Sequence, residues 1–516
     1  MDGQRGQRAV ILPVPAPTTA TNARVTSMTR HRRTPTRIAR ASALAAGLAL
    51  LAGPAAATIT SDDLPADAPA VERVSGSDRY SSAARMAVEA FPEGSRVVVI
   101  ARGDDFPDAL AASYMARVER SPILLTRSTS IPNITLDAMD TLGVSKVVLV
   151  GGVAAISSEV ENRFVDTYGR ANVHRIDGSD RFQTAASVAQ AGGDGVGALR
   201  DLSGESNRTL RTAIVAYGRD FPDAMAGGPL AYAGRIPVLL TNRDELPIVT
   251  EFTLQDGTLQ IEQVIVVGGE GAISDAVFDQ IAGLDTVEVA VRVAGDSRSG
   301  TAAMLAALTD DLLGWDATAV SLAVGRDFPD ALALAPLAAL REAPILLAPN
   351  PDSLRTDTFL GLVDRCSSLE TIIVAGGTAA VTDATATQAQ VAGHCATWSV
   401  TMTGDAETNP GDPDATGTAW FHDDSGCYAL VVEDLEPAAS AAHIHEAPAG
   451  SSGAITARLT TPDANGFVFD CLEDGDLEDD DTVADFLARV AADPSGFYVN
   501  VHNADFAAGA VRGQLG

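Results

Sequence analysis

Three copies of one octapeptide constrain the fold of this chain more than any other feature. The phrase reads GDDFPDAL at 103–110, GRDFPDAM at 218–225 and GRDFPDAL at 325–332. Each copy belongs to a longer unit whose four landmarks recur in the same order. The chain therefore carries three tandem repeats, and one kind of unit must fold three times and pack against its copies.

The other three landmarks surround the octapeptide. An arginine phrase opens each repeat: RVSGSDRYSSAA from Arg73, RIDGSDRFQTAA from Arg175 and RVAGDSRSGTAA from Arg292. A short apolar run (PILLT, PVLLT, PILLA) follows the octapeptide, and an apolar run ending in two glycines closes the unit. Short apolar runs that alternate with Ala-rich segments predict α/β units with buried parallel strands and right-handed crossovers.

Ordinary turn and capping chemistry accounts for most of the octapeptide. Its glycine can end a strand in a tight turn, its first invariant aspartate can cap the following helix, and proline is tolerated in the first helical turn. The second aspartate complements the helix dipole there. These residues are Gly103, Gly218 and Gly325, then Asp105, Asp220 and Asp327, then Asp108, Asp223 and Asp330. The motif is thus compatible with a purely architectural role as well as with a ligand site.

The N-terminus has the features of an export signal. Five arginines within 30–40 precede an apolar run at 41–52, and an A-x-A pattern predicts cleavage after Ala57, with Met28 as an alternative start. The apolar run is too short and too Ala-rich for a stable membrane span. We therefore expect a secreted protein at the cell wall or extracellular surface, without a membrane span after cleavage.

Net charge limits the partners of the mature protein. Residues 1–57 carry eight arginines and one acid, so their removal changes the formal charge from −32 to −39. Such a charge argues against binding to nucleic acid or anionic membranes through long-range attraction.

Four cysteines, Cys366, Cys395, Cys427 and Cys471, remain in the exported chain. An even count predicts disulfides in an oxidising compartment. Sequence order favours Cys366–Cys395 and Cys427–Cys471, with other pairings left open.

The repeats resemble the cell wall-binding repeat 2 family of Gram-positive surface proteins over roughly residues 72–396. The resemblance implies three Rossmann-like α/β units that pack as a pseudo-trimer within a monomer. It also implies noncovalent attachment to an anionic cell wall polymer, next to a variable partner domain. The predicted segments are a signal peptide (1–57), a linker (58–71), three repeats (72–168, 169–289, 290–396) and a C-terminal domain (397–516).

An acidic protein needs local cationic sites to hold a polyanion, and the arginine fork suits phosphate and carboxylate. The candidate polymer-binding residues are Arg73, Arg79, Arg175, Arg181, Arg292 and Arg298. Three weak sites on one polymer would gain about 10²–10⁴ in avidity over one site. Pairing of these arginines with Asp78 and Asp180, or with the octapeptide acids, inside each unit is the alternative, and a bridging Ca²⁺ is an option. The third copy, with Ser297 and Ser299 in place of the acid and the aromatic, is expected to be weaker.

After Cys395, strand-like segments alternate with Gly/Pro/Asp turns, which predicts an antiparallel β-sandwich. The phrases AAHIHEAPAGSSGAI and FYVNVHNADFAAGAVRGQLG resemble the CHRD domain, which brings no established activity. His443 and His445 share one face of a strand, so with His502 they are candidate ligands for zinc or copper. Structural hydrogen bonding is the alternative role. The acidic run 473–481 could hold Ca²⁺ or cap a helix.

We expect a wall-associated surface protein that is not an enzyme. The sequence contains no H-E-x-x-H, G-x-S-x-G or Walker A pattern. The alternatives are an amidase-like peptidoglycan hydrolase and a metal-binding redox or storage protein. Beyond Ca²⁺ or a histidine-bound transition metal, no cofactor is expected.

Overall fold

The computed structural model describes residues 8–11, 64–65, 67–105, 111–219, 225–327, 329–478 and 481–516. The last five residues of the first octapeptide (106–110) and residues 220–224 of the second lie outside the described residues, as does most of the predicted signal peptide. Arg8–Ile11 falls inside that peptide and forms a strand parallel to Val289–Val293. Cleavage after Ala57 stays a prediction.

Strands and helices follow one another in the order that the apolar runs predict. The strands are β1 (Arg8–Ile11), β2 (Ala70–Val74), β3 (Val97–Arg102), β4 (Ile123–Thr126), β5 (Lys146–Val150), β6 (Val173–Ile176), β7 (Ala198–Arg200), β8 (Thr209–Tyr217), β9 (Val238–Thr241), β10 (Gln263–Val267), β11 (Val289–Val293), β12 (Ala319–Val324), β13 (Ile345–Ala348), β14 (Thr371–Ala375), β15 (Trp398–Thr403), β16 (Thr416–Phe421), β17 (Cys427–Glu433), β18 (Ala441–Glu446), β19 (Ala454–Leu459), β20 (Phe467–Cys471), β21 (Phe497–His502) and β22 (Val511–Gln514). The α-helices span Arg79–Ala90, Ala112–Glu119, Asn133–Leu142, Ser158–Tyr168, Arg181–Ala191, Gly228–Gly234, Ile248–Leu254, Asp275–Ala282, Arg298–Leu313, Pro329–Leu340, Arg355–Val363, Asp383–Gly393 and Val483–Ala492.

Three parallel sheets have the same strand order, which confirms the predicted α/β repeats. The orders are β4-β3-β5-β6, β9-β8-β10-β11 and β13-β12-β14-β2. In the second sheet, β1 adds to the edge beyond β11, and the short β7 pairs antiparallel with the start of β8.

Each sheet takes its fourth strand from the next repeat. The arginine strands β6 and β11 complete the sheets of the first and second repeats. The third sheet is completed by β2, which comes from the start of the first repeat. In equivalent registers, Arg175 lies opposite Leu149, Arg292 opposite Val266 and Arg73 opposite Val374. The three repeats therefore close into a ring by exchanging strands.

Helices of all three repeats meet in a common core, as the predicted pseudo-trimer requires. The core cluster joins apolar side chains of Ala112–Glu119, Gly228–Gly234 and Pro329–Leu340. A methyl group added at Gly228 would lie only 2.8 Å from the Cβ of Ala335 and 3.4 Å from Ser113 Oγ. Small residues at this point therefore let the three helices approach closely.

The C-terminal domain is an antiparallel β structure, as predicted. Its strands form one curled sheet in the order β19-β18-β21-β22-β15-β16-β17-β20. The two edges of the sheet approach each other, since Thr460 Oγ1 donates to Asp470 Oδ2 at 2.5 Å. The sequence predicts a sandwich of separate sheets, whereas the structure has one continuous and nearly closed sheet. The acidic run caps a helix: Asp474 Oδ1 accepts from the backbone N–H of Val483 at 2.8 Å.

Both predicted disulfides are present. Cys366 is bonded to Cys395 at the end of the third repeat, and Cys427 is bonded to Cys471 in the β domain. Cys427 and Cys471 face each other on β17 and β20, so the second bond joins neighbouring strands. Among the described residues no helix is long and apolar enough to cross a membrane.

An aromatic cluster joins the β domain to the third repeat. Phe359, from the helix Arg355–Val363, is only 1% exposed. Its ring centroid lies 5.4 Å from that of Trp420, 5.7 Å from that of Phe467 and 6.2 Å from that of Phe469. The two domains thus share one hydrophobic core, which fixes the β domain on the ring.

Truncation of this contact is expected to destabilise both domains. Phe359→Ala should lower the free energy of unfolding by about 3–5 kcal/mol, because it leaves a cavity in a buried aromatic cluster. Urea unfolding followed by fluorescence and circular dichroism measures the change. Phe252→Ala removes a phenylalanine that is 64% exposed and is the matched control. Equal effects of the two substitutions would contradict a shared core.

Candidate functional site

The octapeptide and the glycine pair meet at the carboxyl end of each sheet. The octapeptide glycine directly follows β3, β8 or β12, and the glycine pair follows β5, β10 or β14. These strands are neighbours in all three sheets. In open parallel sheets, ligands bind in crevices at this edge, where the strand order reverses.

One set of opening arginines holds the octapeptide turn of its own repeat. Nη1 of the arginine donates to the carbonyl oxygen of the octapeptide glycine. The pairs are Arg79 with Gly103 at 2.8 Å, Arg181 with Gly218 at 2.6 Å and Arg298 with Gly325 at 3.0 Å. Arg79 also bridges two repeats, because its Nη2 lies 3.2 Å from Asp327 Oδ2.

The glycine in this turn gives room to an aromatic ring. A methyl group added at Gly103 would lie 2.8 Å from the ring of Tyr80, and one at Gly218 would lie 2.8 Å from the ring of Phe182. In the third repeat Ser299 takes the aromatic position and donates to Leu347 O at 2.7 Å. Close packing, rather than a positive φ, therefore explains these glycines.

The other set of opening arginines bonds to the preceding repeat. Nη1 of each arginine donates to the carbonyl oxygen of the first glycine in the glycine pair. The pairs are Arg73 with Gly376 at 3.1 Å, Arg175 with Gly151 at 2.6 Å and Arg292 with Gly268 at 2.9 Å. These glycines have φ values of +89°, +117° and +119°, which favour glycine over other residues.

These three arginines are mostly buried, and each also meets an acid in the helix after the glycine pair. Their side chains are 19%, 9% and 7% exposed in Arg73, Arg175 and Arg292. Contacts inside the protein explain their presence, so their assignment to polymer binding stays a prediction. The predicted alternative partners Asp78 and Asp180 instead cap helices, accepting at 2.9 Å from the backbone N–H of Ser81 and Gln183.

In the third repeat a serine, Ser297, caps the helix Arg298–Leu313. Ser297 Oγ accepts from the backbone N–H of Gly300 at 3.0 Å, which is the same capping bond that an aspartate makes in the other two copies.

The junctions between repeats form related clefts. The cleft between the first and second repeats, of about 190 Å³, is lined by residues that include Arg102, Asp105, Gly152, Asp180 and Arg181. Its counterpart between the second and third repeats, of about 520 Å³, is lined by residues that include Tyr217, Glu270, Gly271, Asp296 and Arg298.

The glycine pair faces the next repeat at all three junctions. A methyl group added to its second glycine would meet the next opening phrase at 3.7–3.8 Å. The contacts are Gly152 to Gly178 O, Gly269 to Ala294 Cβ and Gly377 to Gly76 O. The structure thus brings one arginine, one octapeptide and one glycine pair together three times.

A larger cleft of about 810 Å³ lies elsewhere in the second repeat and has a different character. It is lined by acids that include Asp201, Glu205, Asp256 and Glu262, with Arg208 paired to Glu288. A polyanion is poorly suited to such a lining, so the junction clefts are the better candidates.

Asp330 ties the third octapeptide to the first repeat. It lies in the first turn of Pro329–Leu340, as predicted, and hydrogen-bonds to Ser82 of the first repeat. Burial raises the pKa of its carboxyl to about 6, and its Oδ1 has no hydrogen-bond partner. Its Oδ2 would lie 2.3 Å from a methyl group added at Gly376, so glycine is needed there for a second reason.

The β domain brings the three predicted histidine ligands together. His443, His445 and His502 each place one ring nitrogen within 4.8 Å of a ring nitrogen of the other two. Burial lowers the pKa of His443 to about 4 and lowers the pKa of His445 and His502 as well. The three rings are therefore neutral near pH 7, as metal ligation requires. The sequence prediction identified these residues but did not include Asn500, which lies between them on β21.

A second histidine group lies between the domains and was not predicted. His394, His422 and Asp424 offer ligand atoms within 4.8 Å of one another. Burial lowers the pKa of His422 to about 4, and the Nδ1 atoms of both histidines lack hydrogen-bond partners. No sequence signal pairs them, because one belongs to the third repeat and the other to the β domain.

Two known families match most of the chain. Cell wall binding domain 2 (CWB2) matches residues 73–161, 175–278 and 292–386, and the CHRD domain matches residues 398–515. The three CWB2 matches cover the strands and turns that form the junction clefts.

Relatives of the ring are known from Bacillus subtilis. The N-acetylmuramoyl-L-alanine amidase LytC is 28% identical over 318 residues, which are 62% of this chain and 58% of the relative. The amidase enhancer is 30% identical over 227 residues, or 44% of this chain and 28% of the relative. The chain thus spans less than two thirds of either protein.

Solved structures share the fold. Cwp8 from Clostridium difficile has a TM-score of 0.52 and 25% identity, and the match covers 63% of this chain and 51% of Cwp8. Cwp6 from the same organism has a TM-score of 0.53 and 22% identity, over 66% of this chain and 51% of Cwp6.

Neutralising Asp330 is expected to stabilise the ring above pH 6. The pKa of its carboxyl is about 6 in the folded protein and 3.8 in the unfolded chain. The buried carboxyl therefore costs no stability below pH 4, where it is protonated in both states, and it lowers the free energy of unfolding as the pH rises from 4 to 6. At pH 7.5 the free energy of unfolding of Asp330→Asn should therefore exceed that of the parent by about 2–3 kcal/mol. Loss of the interaction with the helix dipole reduces this gain by up to about 1 kcal/mol. At pH 4 the gain should be far smaller.

Urea unfolding at the two pH values measures this difference, with the exposed Asp352→Asn as control. A variant whose advantage does not grow between pH 4 and pH 7.5 would show that Asp330 is charged at no cost in the folded protein.

Proposed function

The chain belongs to the cell wall binding domain 2 family, and we propose from this that it is a secreted protein held noncovalently on an anionic cell wall polymer. Three family matches and the likeness to Cwp8 support association with the cell wall. In this proposal the ring binds the polymer and the CHRD domain is displayed for interaction.

The observation that carries the proposal is the threefold recurrence of the arginine at the junctions between repeats. Arg181 and Arg298 line the two junction clefts, and at the third junction Arg79 forms an ion pair with Asp327. A guanidinium group can bind phosphate or carboxylate through two hydrogen bonds. One polymer that occupied several clefts would gain avidity that a single cleft lacks.

The acidic charge of the protein does not prevent this mode of binding. Charges on the two partners are screened beyond about 8 Å at physiological ionic strength, so contacts at the clefts decide the affinity. Asp105, Glu270 and Asp296 also line the clefts, which leaves room for a Ca²⁺ ion between protein and polymer.

The β domain sits on the ring rather than on a long linker. Only a few residues separate the helix Asp383–Gly393 from β15, and the Phe359 cluster joins the two domains. A domain fixed in this way is presented in one orientation relative to the wall-binding ring.

Replacement of the cleft arginines is expected to weaken wall binding cooperatively. In cosedimentation of residues 58–516 with purified Gram-positive cell walls, single changes of Arg79, Arg181 or Arg298 to Lys should weaken retention several-fold. The triple variant should lose about 100-fold or more, because lysine keeps the charge but loses the fork. Each variant is assayed with Ca²⁺ and with EDTA.

The matched control changes Arg85, Arg96 and Arg163, which are exposed, to Lys. Circular dichroism melts separate lost binding from lost folding, since the cleft arginines also hold glycine carbonyls. Wild-type retention by a folded triple variant would clear these arginines of a ligand role. Failure of the parent protein to bind walls under either condition would end the proposal.

We propose further that the chain acts by binding and not by catalysis. Amidase activity belongs by name to the LytC relative, of which this chain spans 58%. Zymography of the purified protein on peptidoglycan should therefore give no clearing band, with an active amidase on the same gel as the positive control. A clearing band at the mass of the protein would favour the hydrolase alternative.

A further inference from the structure

Hydrogen bonds to backbone carbonyls fix the tautomers of two histidines in the β domain. His445 Nδ1 lies 3.1 Å from Gly453 O, and His502 Nδ1 lies 3.2 Å from Ala507 O. A carbonyl oxygen can only accept, so both Nδ1 atoms carry a proton. In the neutral rings the Nε2 atoms then keep their lone pairs.

Both lone pairs are directed at one point. His445 Nε2 lies 3.1 Å and His502 Nε2 lies 3.0 Å from the same atom, Asn500 Oδ1. His443 Nδ1 adds a further nitrogen at 3.2 Å from His502 Nε2. In this arrangement several electron-pair donors face one another in a half-buried space. That is unfavourable without a cation between them, a turned Asn500 amide or a proton on His443 Nδ1 donated to His502 Nε2.

The spacing of these atoms suits a small metal ion. Metal–nitrogen bonds of about 2.0–2.1 Å in a tetrahedral site place ligand atoms about 3.3 Å apart. The nitrogen–nitrogen distance of 3.2 Å and the two nitrogen–oxygen distances of 3.0 and 3.1 Å are close to that value. Metal-bound histidines commonly donate their other N–H to a backbone carbonyl, as His445 and His502 do here.

We propose that His443 Nδ1, His445 Nε2 and His502 Nε2 bind one Zn²⁺ or Cu²⁺ ion, with Asn500 Oδ1 at the fourth corner. Imidazole nitrogen suits both ions, and Cu²⁺ binds more tightly than Zn²⁺ to a given set of ligands. The site goes beyond the proposed wall attachment and does not depend on it.

Rigid surroundings hold the site in place. β18 and β21 are paired so that His443 lies opposite Asn500 and His445 opposite Tyr498. The ring of Tyr498 stacks on His445 with 4.7 Å between centroids, and Arg512 Cζ lies 3.4 Å from the centroid of the same Tyr498 ring. Arg512 is itself held by Ser451 O at 2.9 Å. Little rearrangement is therefore needed when an ion binds.

Some charged neighbours of the histidines disfavour a bound cation and one favours it. Arg512 and Arg458, which lies opposite His443 on β19, oppose a bound cation. Glu407 Oε1, which accepts from Asn500 Nδ2 at 3.3 Å, offsets this when it is ionised.

A metal-free arrangement of the same residues is the rival. If the Asn500 amide is turned by 180°, its Nδ2 can donate to both Nε2 atoms and the lone pairs are satisfied without an ion. Direct measurement of metal binding decides between the two.

The test uses the full-length protein, treated with EDTA and dialysed. ZnCl₂ and CuSO₄ are each titrated against a chromophoric competitor, and bound metal is counted by elemental analysis. We expect one equivalent at the histidine site, and nitrogen hyperfine splitting in the Cu²⁺ spectrum. His443→Gln and His502→Gln should each weaken binding about tenfold or more.

Two controls keep the result interpretable. His422→Gln removes a ligand of the other histidine group, and His174→Gln removes an exposed histidine of the ring. Both should leave this binding unchanged. No binding at micromolar metal, or binding lost only with His422→Gln, would overturn the proposal. His443 and His502 are both half-buried, so either variant tests the site if the other fails to fold.

Discussion

The exchange of one strand between neighbouring repeats is the constraint on which the rest of this structure depends. Each arginine strand completes the sheet of the repeat before it, and β2 closes the series by completing the third sheet. The buried guanidinium groups of Arg73, Arg175 and Arg292 bond to glycine carbonyls across these contacts. No repeat completes its own sheet in this structure, so each copy depends on a neighbour for its fourth strand.

Strand exchange also decides where the candidate binding site lies. It places the opening phrase of one repeat against the glycine pair of the previous one, at the carboxyl ends of the strands. The three junctions are similar but not identical, since Ser297 and Ser299 replace the acid and the aromatic in the third copy. Both serines are hydrogen-bonded within the third repeat, and Ser297 lines its cleft, so the difference changes the lining of the cleft and not the fold of the repeat.

The β domain adds chemistry of another kind to the same molecule. It is joined to the third repeat by the Phe359 cluster and carries its histidines on β18 and β21. The arginine clefts would recognise anionic groups, whereas the neutral, hydrogen-bonded histidines suit a transition metal. Two unrelated binding functions can therefore coexist, because each depends on its own rigid set of strands.

The sequence by itself determined the elements that follow from local patterns. Landmarks that recur in one order predicted three α/β units, cysteine order predicted both disulfides, and period-two alternation placed His443 and His445 on one face. Only the tertiary structure decided which strand completes which sheet, because apolar runs of similar composition can pair in several ways. It also decided the burial of Asp330, the meeting of His394 with His422 and the position of Asn500 among the histidines. Most of these contacts join residues far apart in the chain, and the others depend on how side chains pack on one face of the sheet. No local sequence pattern encodes either kind of contact.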